Sequence, residues 1–543
     1  MKIDYSNVVK PETYTFDFCV LGGGIAGIIT TNELVKKCPD QSICLIESGS
    51  FSLDNPHNRE LKEVLFSDLA IKKNSREFAL GGATNTWGGL STHFEEFETR
   101  GRDYLETHDW PISYEELSQY YRYASEHYQF TDTLDESTEK SRYFENFRKR
   151  VFFAQLEPVN YASYLNNAVH LIYNAHVTEL HSEGETVTKA VISNAGTQIT
   201  SSVQAKTFII ALGGIETVRL LLNSQVKGAL TLGTEGQLLG RYFMNHPKSE
   251  YGLLKLNQPT PINDYVGTID QGRYKYIGIS LPLDIQRSQR LLNNYVRFEP
   301  ILPWSDDKVV SAVISFLMNK RTFFKIFMAL YQQKEVTMLD FSETGDTDHL
   351  ERVERRSRLK SISLAVQYLY YRLTNKKPKI TTYRIRNYIE MEPRYDNHIT
   401  LSEEVDLFGN RKVQVNYSLS EREKRTMLLL HEKISEHLLE VNIGDLHSKL
   451  EDEVDWPIAT DASHHMGGTI MGDSPDNSVT NSDLRIHSIE NLYIASSSVM
   501  PTGGSHNPTF TIAALSCYLA DRLSRKVLSA SPIHDEEATV GTH

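Results

Sequence analysis

Two histidines, His464 and His465, stand directly before Met466-Gly467-Gly468-Thr469, and a third, His506, precedes Asn507-Pro508-Thr509. An imidazole titrates near neutrality, so it can take a proton from a hydroxyl at physiological pH. Asn507 ahead of Pro508 and an apolar run reads as a helix N-cap followed by proline at the first helical position. The positive end of that helix would sit beside Asn507, where it stabilises negative charge developing on a ligand. Among 19 histidines a neighbouring pair is more often incidental than catalytic, so the motif needs company.

Company stands at the N-terminus. Gly22-Gly23-Gly24-Ile25-Ala26-Gly27 is a G-x-G-x-x-G string between an apolar run at 14–21 and a helical pattern at 25–37, and Glu47 lies twenty residues beyond Gly27 at the end of the next apolar run. That context, more than the glycines alone, marks a dinucleotide fingerprint. The glycines allow a tight turn and let a pyrophosphate approach the N–H groups of a helix N-terminus. Glu47 can accept both ribose hydroxyls of an adenosine and would repel a 2′-phosphate. A third string, Gly81-Gly82-Ala83-Thr84-Asn85-Thr86-Trp87-Gly88-Gly89, holds four glycines in nine residues. Backbone so bare can lie flat against a planar ligand, and behind a Rossmann start a flavin is the natural one.

The elements that must position these residues follow from periodicity. Runs at 14–21 and 42–46 flank the 25–37 helix as a βαβ unit, which implies a parallel, doubly wound sheet. Short runs at 168–173, 186–193 and 198–203 suggest a meander. Residues 207–212 read as a buried parallel strand that Gly213-Gly214 turns into a helix at 215–223; 491–494 is a further strand and 508–523 a final helix. The region 251–454 carries aromatic, basic stretches at 309–331 and 361–379, read as helices of a substrate domain or a subunit contact. A membrane-surface or partner-docking face is the sharper alternative, and a homo-oligomer stays open. The fold expected is α/β (α+β overall). A Rossmann-type FAD-binding domain is built from 1–110, 155–250 and 455–530, a mixed sheet-and-helix substrate-binding domain from 111–154 and 251–454, and a flexible tail from 531–543.

Composition narrows the classes. The 543 residues carry 57 basic and 70 acidic side chains, a net charge of −13, which argues against nucleic acid as partner and suits small neutral or cationic molecules. Cys19, Cys38, Cys44 and Cys517 lack CxxC spacing, so neither a disulfide framework nor a metal site is expected, and the usage suits a reducing compartment. No apolar run reaches the length of a membrane span and no apolar h-region follows Met1, so a cytoplasmic chain is expected.

Together these residues resemble the glucose-methanol-choline (GMC) flavoprotein oxidoreductases. The blocks come in the family's order: GGGIAG with Glu47, LGGATNTWGG at 80–89, HDWPISYEELSQYY at 108–121, ALGGIET at 211–217 with RLLL at 219–222, GRYFMNHP at 240–247, HHMGGTIMG at 464–472, and NLYIASSSVMPTGGSHNPTFTIAAL at 491–515. WPISYEEL and the Trp87-Gly88-Gly89 ending look most like the bacterial dehydrogenase and sugar (pyranose) oxidase branches.

The resemblance implies oxidation of an alcohol, first a sugar or glycosylated hydroxyl, to a carbonyl, with the hydride passing to flavin N5 of FAD. His465 would be the base and Asn507 its partner, with His506 a competitor disfavoured by the N-P-T register. Gly22, Gly24, Ile25, Ala26, Gly27, Glu47 and Ser48 would hold the ADP half of FAD. Gly81, Gly82, Ala83, Thr84, Trp87, Gly88 and Gly89 would pass along the isoalloxazine, Val177 would touch the adenine, and Ala211 and Gly213 would face the pyrophosphate side. Ser497, Asn507, Pro508 and Thr509 would complete the flavin site. Thr86 stands where pyranose oxidases carry a flavin-linked histidine and His93 lies too far on to replace it, so FAD is expected to be non-covalent. Trp87 and Ser496 depart from the asparagine and aspartate of the glucose-oxidase branch. The implied partners are a small-molecule alcohol and an electron acceptor: dioxygen, a quinone or a redox protein. Sterol or aliphatic alcohol oxidation, and a lyase of the same fold with structural FAD, are the alternatives.

Overall fold

Phe18, Cys19, Val20 and Leu21 are all at most 2% exposed, so both faces of the strand Thr13–Leu21 are covered and the run reads continuously apolar, as a central parallel strand must. In the computed structural model, which describes residues 1–54, 58–72, 75–134, 143–157, 159–259, 262–270, 272–305, 307–318, 358–374, 379–448 and 463–530, this strand pairs in parallel with Ile43–Ile46 on one side and Thr200–Ile210 on the other. His170–Tyr173 and Lys2–Asp4 extend the parallel sheet outward from Ile43–Ile46, and Leu492–Ile494 pairs with the end of Thr200–Ile210. Thr186–Ser193 and His176–Glu183 add an antiparallel edge.

Two sequence expectations are corrected here. The separate strands at 198–203 and 207–212 are one strand, Thr200–Ile210, because Thr13–Leu21 pairs with nearly its whole length and nothing between 203 and 207 interrupts the ladder. His176–Glu183 is an additional strand whose polar composition hid it; a tight turn at Gly184 folds it onto Thr186–Ser193.

The helix Ile25–Lys37 packs between this sheet and the C-terminal helix Thr509–Ala530. Its buried Glu33 accepts hydrogen bonds from Lys36, Tyr123 and Tyr128, which pins the helix Tyr114–Tyr128 to the same core. That helix, within the 111–154 segment expected in the substrate domain, thus packs on the core of the parallel sheet. Met391, Ile399, Val413, Val415 and Tyr417 also join this core, through a small sheet of His398–Val405, Arg411–Asn416 and Leu65–Phe66. The 393–417 stretch of the expected substrate domain thus packs against the core of the parallel sheet.

A second sheet is antiparallel. Its path runs Thr268–Asp270, Arg273–Ser280, Tyr295–Pro300, Thr382–Tyr388, Leu253–Leu256, Gly444–His447, with Arg148–Gln155 on Arg273–Ser280 and Lys248–Ser249 on Thr382–Tyr388. Side-chain alternation divides its faces. Val296, Phe298 and Ile385 pack with Leu430, Ile434 and Leu438 of the helix Glu421–Glu440, while Phe152, Tyr276, Tyr295 and Tyr388 gather on the other side.

The aromatic, basic stretches are partly described. Lys308–Met318 and Arg358–Thr374 are helices packed together around Trp304, Val310, Leu364 and Tyr368. Ile362, Val366, Tyr370 and Leu373 are exposed on the second helix. Residues 319–331, 375–378, 455–462 and the tail 531–543 lie outside the described residues. Among the described residues, no helix is long and apolar enough to cross a membrane.

A Cβ at Gly27 would stand 1.9 Å from the Gly22 carbonyl oxygen, whereas a Cβ at Gly24 meets nothing within 4 Å. Gly27→Ala should therefore lower unfolding free energy by about 2 kcal/mol although alanine is the better helix former. Gly24→Ala should stay within about 0.5 kcal/mol of wild type in the same urea titration.

Candidate active site

The strand Thr13–Leu21 ends in Gly22, at φ +108°, and the helix Ile25–Lys37 starts two residues after Gly23 with no side chain capping it. Its first N–H groups thus remain for a ligand, and the macrodipole favours an anionic one. Glu47 sits beside this turn, buried, its two carboxylate oxygens accepting from Gly23 N at 2.7 Å and Gly49 N at 2.8 Å. Burial raises its pKa, and no cation is among the causes that act on it. The second glycine string lies against the first: Gly81 N donates to Gly23 O at 2.8 Å, and a Cβ on Gly82 would come within 2.9 Å of Gly24 Cα.

A cavity of about 960 Å³ runs from these glycines to the C-terminal motifs. It is lined by Gly22, Gly24, Ile25, Ala26, Glu47, Ser48, Gly82, Ala83, Thr84, Trp87, Gly88, Gly89, Val177, Ala211 and Gly213, and at its other end by His465, Ser497, Asn507, Pro508 and Thr509. Of the sequence-derived contacts, Gly27 and Gly81 are set behind the wall. Gly27 faces the Gly22 carbonyl and serves helix–strand packing, and a Cβ on Gly81 would meet Asn160 at 2.7 Å. Thr86 also lines the cavity, whereas buried His93 is held by Thr133 Oγ1 at 2.6 Å and is not among the lining residues.

His465 is 6% exposed. Its carbonyl accepts from Ser497 Oγ at 2.6 Å, and its ring stacks on Phe243 with centroids 6.1 Å apart. Its Nε2 is buried and has no hydrogen-bond partner among the described residues. Burial, aided by the Arg76 guanidinium, lowers its pKa to about 3, so the ring is neutral at ordinary pH. His464 lines the cavity too: Ser463 adopts φ +61° and the segment is not a regular strand, so adjacent side chains need not alternate. His464 Nδ1 lies 2.9 Å from His246 Nδ1.

His506 is excluded from the cavity by its partners. Nδ1 lies 2.9 Å from Glu98 Oε1 and Nε2 accepts from Arg150 Nε at 3.0 Å, which fixes the Nδ1–H tautomer. Asn507 is corrected in one respect. Its amide donates to Leu90 O at 2.9 Å, and Pro508 O accepts the first helical bond from Ile512 N, so Pro508 rather than Asn507 borders the first turn. Arg76, Lys248, Arg297, Arg386 and Tyr388 also line the cavity. They carried no motif, and only strand alternation within 295–300 and 382–388 could have suggested the common face of Arg297, Arg386 and Tyr388.

The GMC oxidoreductase family model matches residues 393–516, which contain His465 and Asn507. The fructose dehydrogenase large subunit of Gluconobacter japonicus is 25% identical over 325 residues, 59% of this chain and 47% of that subunit. Paromamine 6′-oxidase of Streptomyces fradiae is 28% identical over 151 residues, 28% of this chain and 27% of that protein. The chain thus spans less than half the length of either relative. The crystal structure of pyridoxine 4-oxidase from Mesorbium loti superposes with a TM-score of 0.53 at 12% identity, over 94% of this chain and 99% of that one, a likeness of fold. The match to the GMC oxidoreductase family thus falls on residues 393–516, the part of the chain that bears both C-terminal motifs.

FAD is the cofactor expected of a GMC oxidoreductase, and the cavity fits it. Glu47 is a carboxylate held only by backbone donors, with lone pairs left for ribose hydroxyls, and the uncapped helix end suits a pyrophosphate. The loop bearing Asn507 is fixed by Glu98, which is 0% exposed. Burial by itself would raise the Glu98 carboxyl; His506 and Arg150 reverse that and hold it below the usual carboxylate range.

A carboxylate with a depressed folded pKa contributes stability above its unfolded value of about 4.3, and that contribution is lost as pH falls through the folded value. Glu98→Gln should therefore lower unfolding free energy at pH 7 by about 3 kcal/mol. The gap between variant and wild type in urea unfolding should narrow only below about pH 4.

Proposed function

We propose that this chain oxidises a hydroxyl of a sugar or glycosylated small molecule to a carbonyl, with non-covalently bound FAD, His465 as proton acceptor and Asn507 orienting the hydroxyl. The observation that carries the reading is the neutral His465 ring, whose Nε2 is buried without a partner in the same cavity as the glycine cradle. A general base must be deprotonated and within reach of the proton it takes, and an unpartnered Nε2 beside a ligand cavity supports both. FAD, when bound, supplies the two-electron acceptor for the carbinol hydride. The side chains do the rest. His465 Nε2 takes the hydroxyl proton, and the alkoxide left in the cavity offsets the cost of the buried imidazolium. Phe243 packs on the ring, and Ser497 holds the His465 backbone through its carbonyl. Asn507, anchored through Leu90, presents its remaining amide capacity to the substrate oxygen.

The sugar assignment draws on relatives named for fructose and paromamine. Their names include both a dehydrogenase and an oxidase, so dioxygen, a quinone or a redox partner is the acceptor class. Sterol or aliphatic alcohol oxidation rests on the 309–331 stretch, of which only 309–318 are among the described residues. The four buried, unpaired cysteines are compatible with a cytoplasmic setting.

Purified protein should be yellow, and acid precipitation should leave FAD in the supernatant; flavin in the pellet would refute non-covalent binding. A substrate that bleaches the flavin anaerobically separates oxidoreductase from lyase. His465→Ala should keep its flavin and slow that bleaching by about 10²- to 10⁴-fold. If His464→Ala instead abolishes bleaching while His465→Ala is normal, the base is the neighbouring residue. Because the folded His465 is protonated only near pH 3, its loss of base function on acidification should appear there and not near 6.5.

A further inference from the structure

The antiparallel sheet gives the cavity a cationic, aromatic wall. In its register Tyr295 and Lys248 both pair with Tyr388, and Arg297 pairs with Arg386. Period-two alternation puts Tyr295 and Arg297 on one face of their strand, and Arg386 and Tyr388 on one face of theirs. Lys248, Arg297, Arg386 and Tyr388 line the cavity.

The two arginines differ in their company. Arg386 is neutralised, with Nε 2.7 Å from Glu299 and Nη2 3.0 Å from Glu250. Arg297 has no carboxylate in ion-pair range among the described residues, and its Nε is buried without a hydrogen-bond partner. Its guanidinium carbon stands 4.7 Å from the Tyr276 ring centroid, so an aromatic face is its main support. A guanidinium cannot shed its proton, and a partly desolvated one without a counter-charge is costly unless a ligand supplies the charge.

We propose that Arg297 anchors an anionic group, a carboxylate or a phosphate, on the alcohol that this site oxidises. The inference rests on the oxidoreductase reading and narrows its substrate to a sugar acid, a sugar phosphate or a similarly charged alcohol. The planar fork matches either oxyanion with two parallel hydrogen bonds. Lys248, with Nζ 5.8 Å from the Tyr388 ring centroid, adds a second positive charge to the same wall. The tyrosines exclude water around the pair, which strengthens it. The local field thus opposes what the net charge of the whole chain suggested.

The test uses the FAD-loaded enzyme, with flavin content and melting temperature recorded for wild type, Arg297→Gln and Arg297→Lys. Sodium sulfate is titrated at constant ionic strength while the visible flavin spectrum is followed. Wild type should give a saturable difference spectrum. Arg297→Gln should weaken it at least tenfold, and Arg297→Lys, which keeps the charge but not the fork, should fall between. Glucose, glucuronate and glucose 6-phosphate are then compared as anaerobic reductants. The carboxylate or phosphate member should have the lower KM, and in Arg297→Gln the ratio of its KM to that of the neutral sugar should rise to about one; which anion wins distinguishes the two sources. The proposal is overturned if wild type shows no sulfate response, if Arg297→Gln responds equally, if the variant loses FAD instead, or if only stability moves. A panel in which no sugar bleaches the flavin counts against the oxidoreductase reading, and the sulfate titration still decides the anion site.

Discussion

Glu98 has no exposed surface, and its carboxylate meets groups from three distant parts of the chain. His506 Nδ1 lies 2.9 Å away, the Asn293 amide donates to it at 2.5 Å, and the Arg150 guanidinium stands 3.8 Å off. Arg150 and Asn293 belong to the antiparallel sheet and the segment leading into it; His506 belongs to the loop before the C-terminal helix. Each of these polar groups would be expensive to bury alone, so each requires the others in place. The cluster fixes the antiparallel sheet, and with it one wall of the cavity, to the loop that carries Asn507.

The glycine cradle obeys a different constraint, that of close approach. Gly22, Gly27 and Gly82 stand where a Cβ would fall within 3 Å of backbone atoms, so the strand end, the first helix and the second glycine string interlock without side chains. What remains facing the cavity is backbone and Glu47. An anionic ligand is drawn to the helix end, while the carboxylate, held by two N–H groups, stays available to hydroxyls.

Between these two fixed regions the cavity changes character. Near the first helix it is backbone-lined. Near the antiparallel sheet it carries Arg297, Lys248 and Tyr388. A chain with net charge −13 thus presents a locally positive wall, because its acidic side chains near that wall, Glu250 and Glu299, are already engaged by Arg384 and Arg386.

The order of the blocks, the parallel sheet, the Glu47 position and the cavity-lining glycines were all legible in the sequence. The first block, with its strand, glycine turn, helix and Glu47, is a consequence of local backbone geometry within about forty residues. The candidacy of His465 was legible through its glycine neighbours. What the chain alone could not reveal was every relation between distant segments. That His464 shares the cavity depends on irregular backbone at Ser463. That His506 is withdrawn from it depends on Glu98 and Arg150, several hundred residues upstream. That the helices at 114–128 and 509–530 share one core depends on Glu33, Tyr123 and Tyr128. Arg297 is one arginine among many until strand register turns it to the cavity and leaves it without a carboxylate. Sequence specifies what a few consecutive residues can do with their own backbone; which polar group is partnered and which is left facing a cavity is decided only when remote segments are packed together.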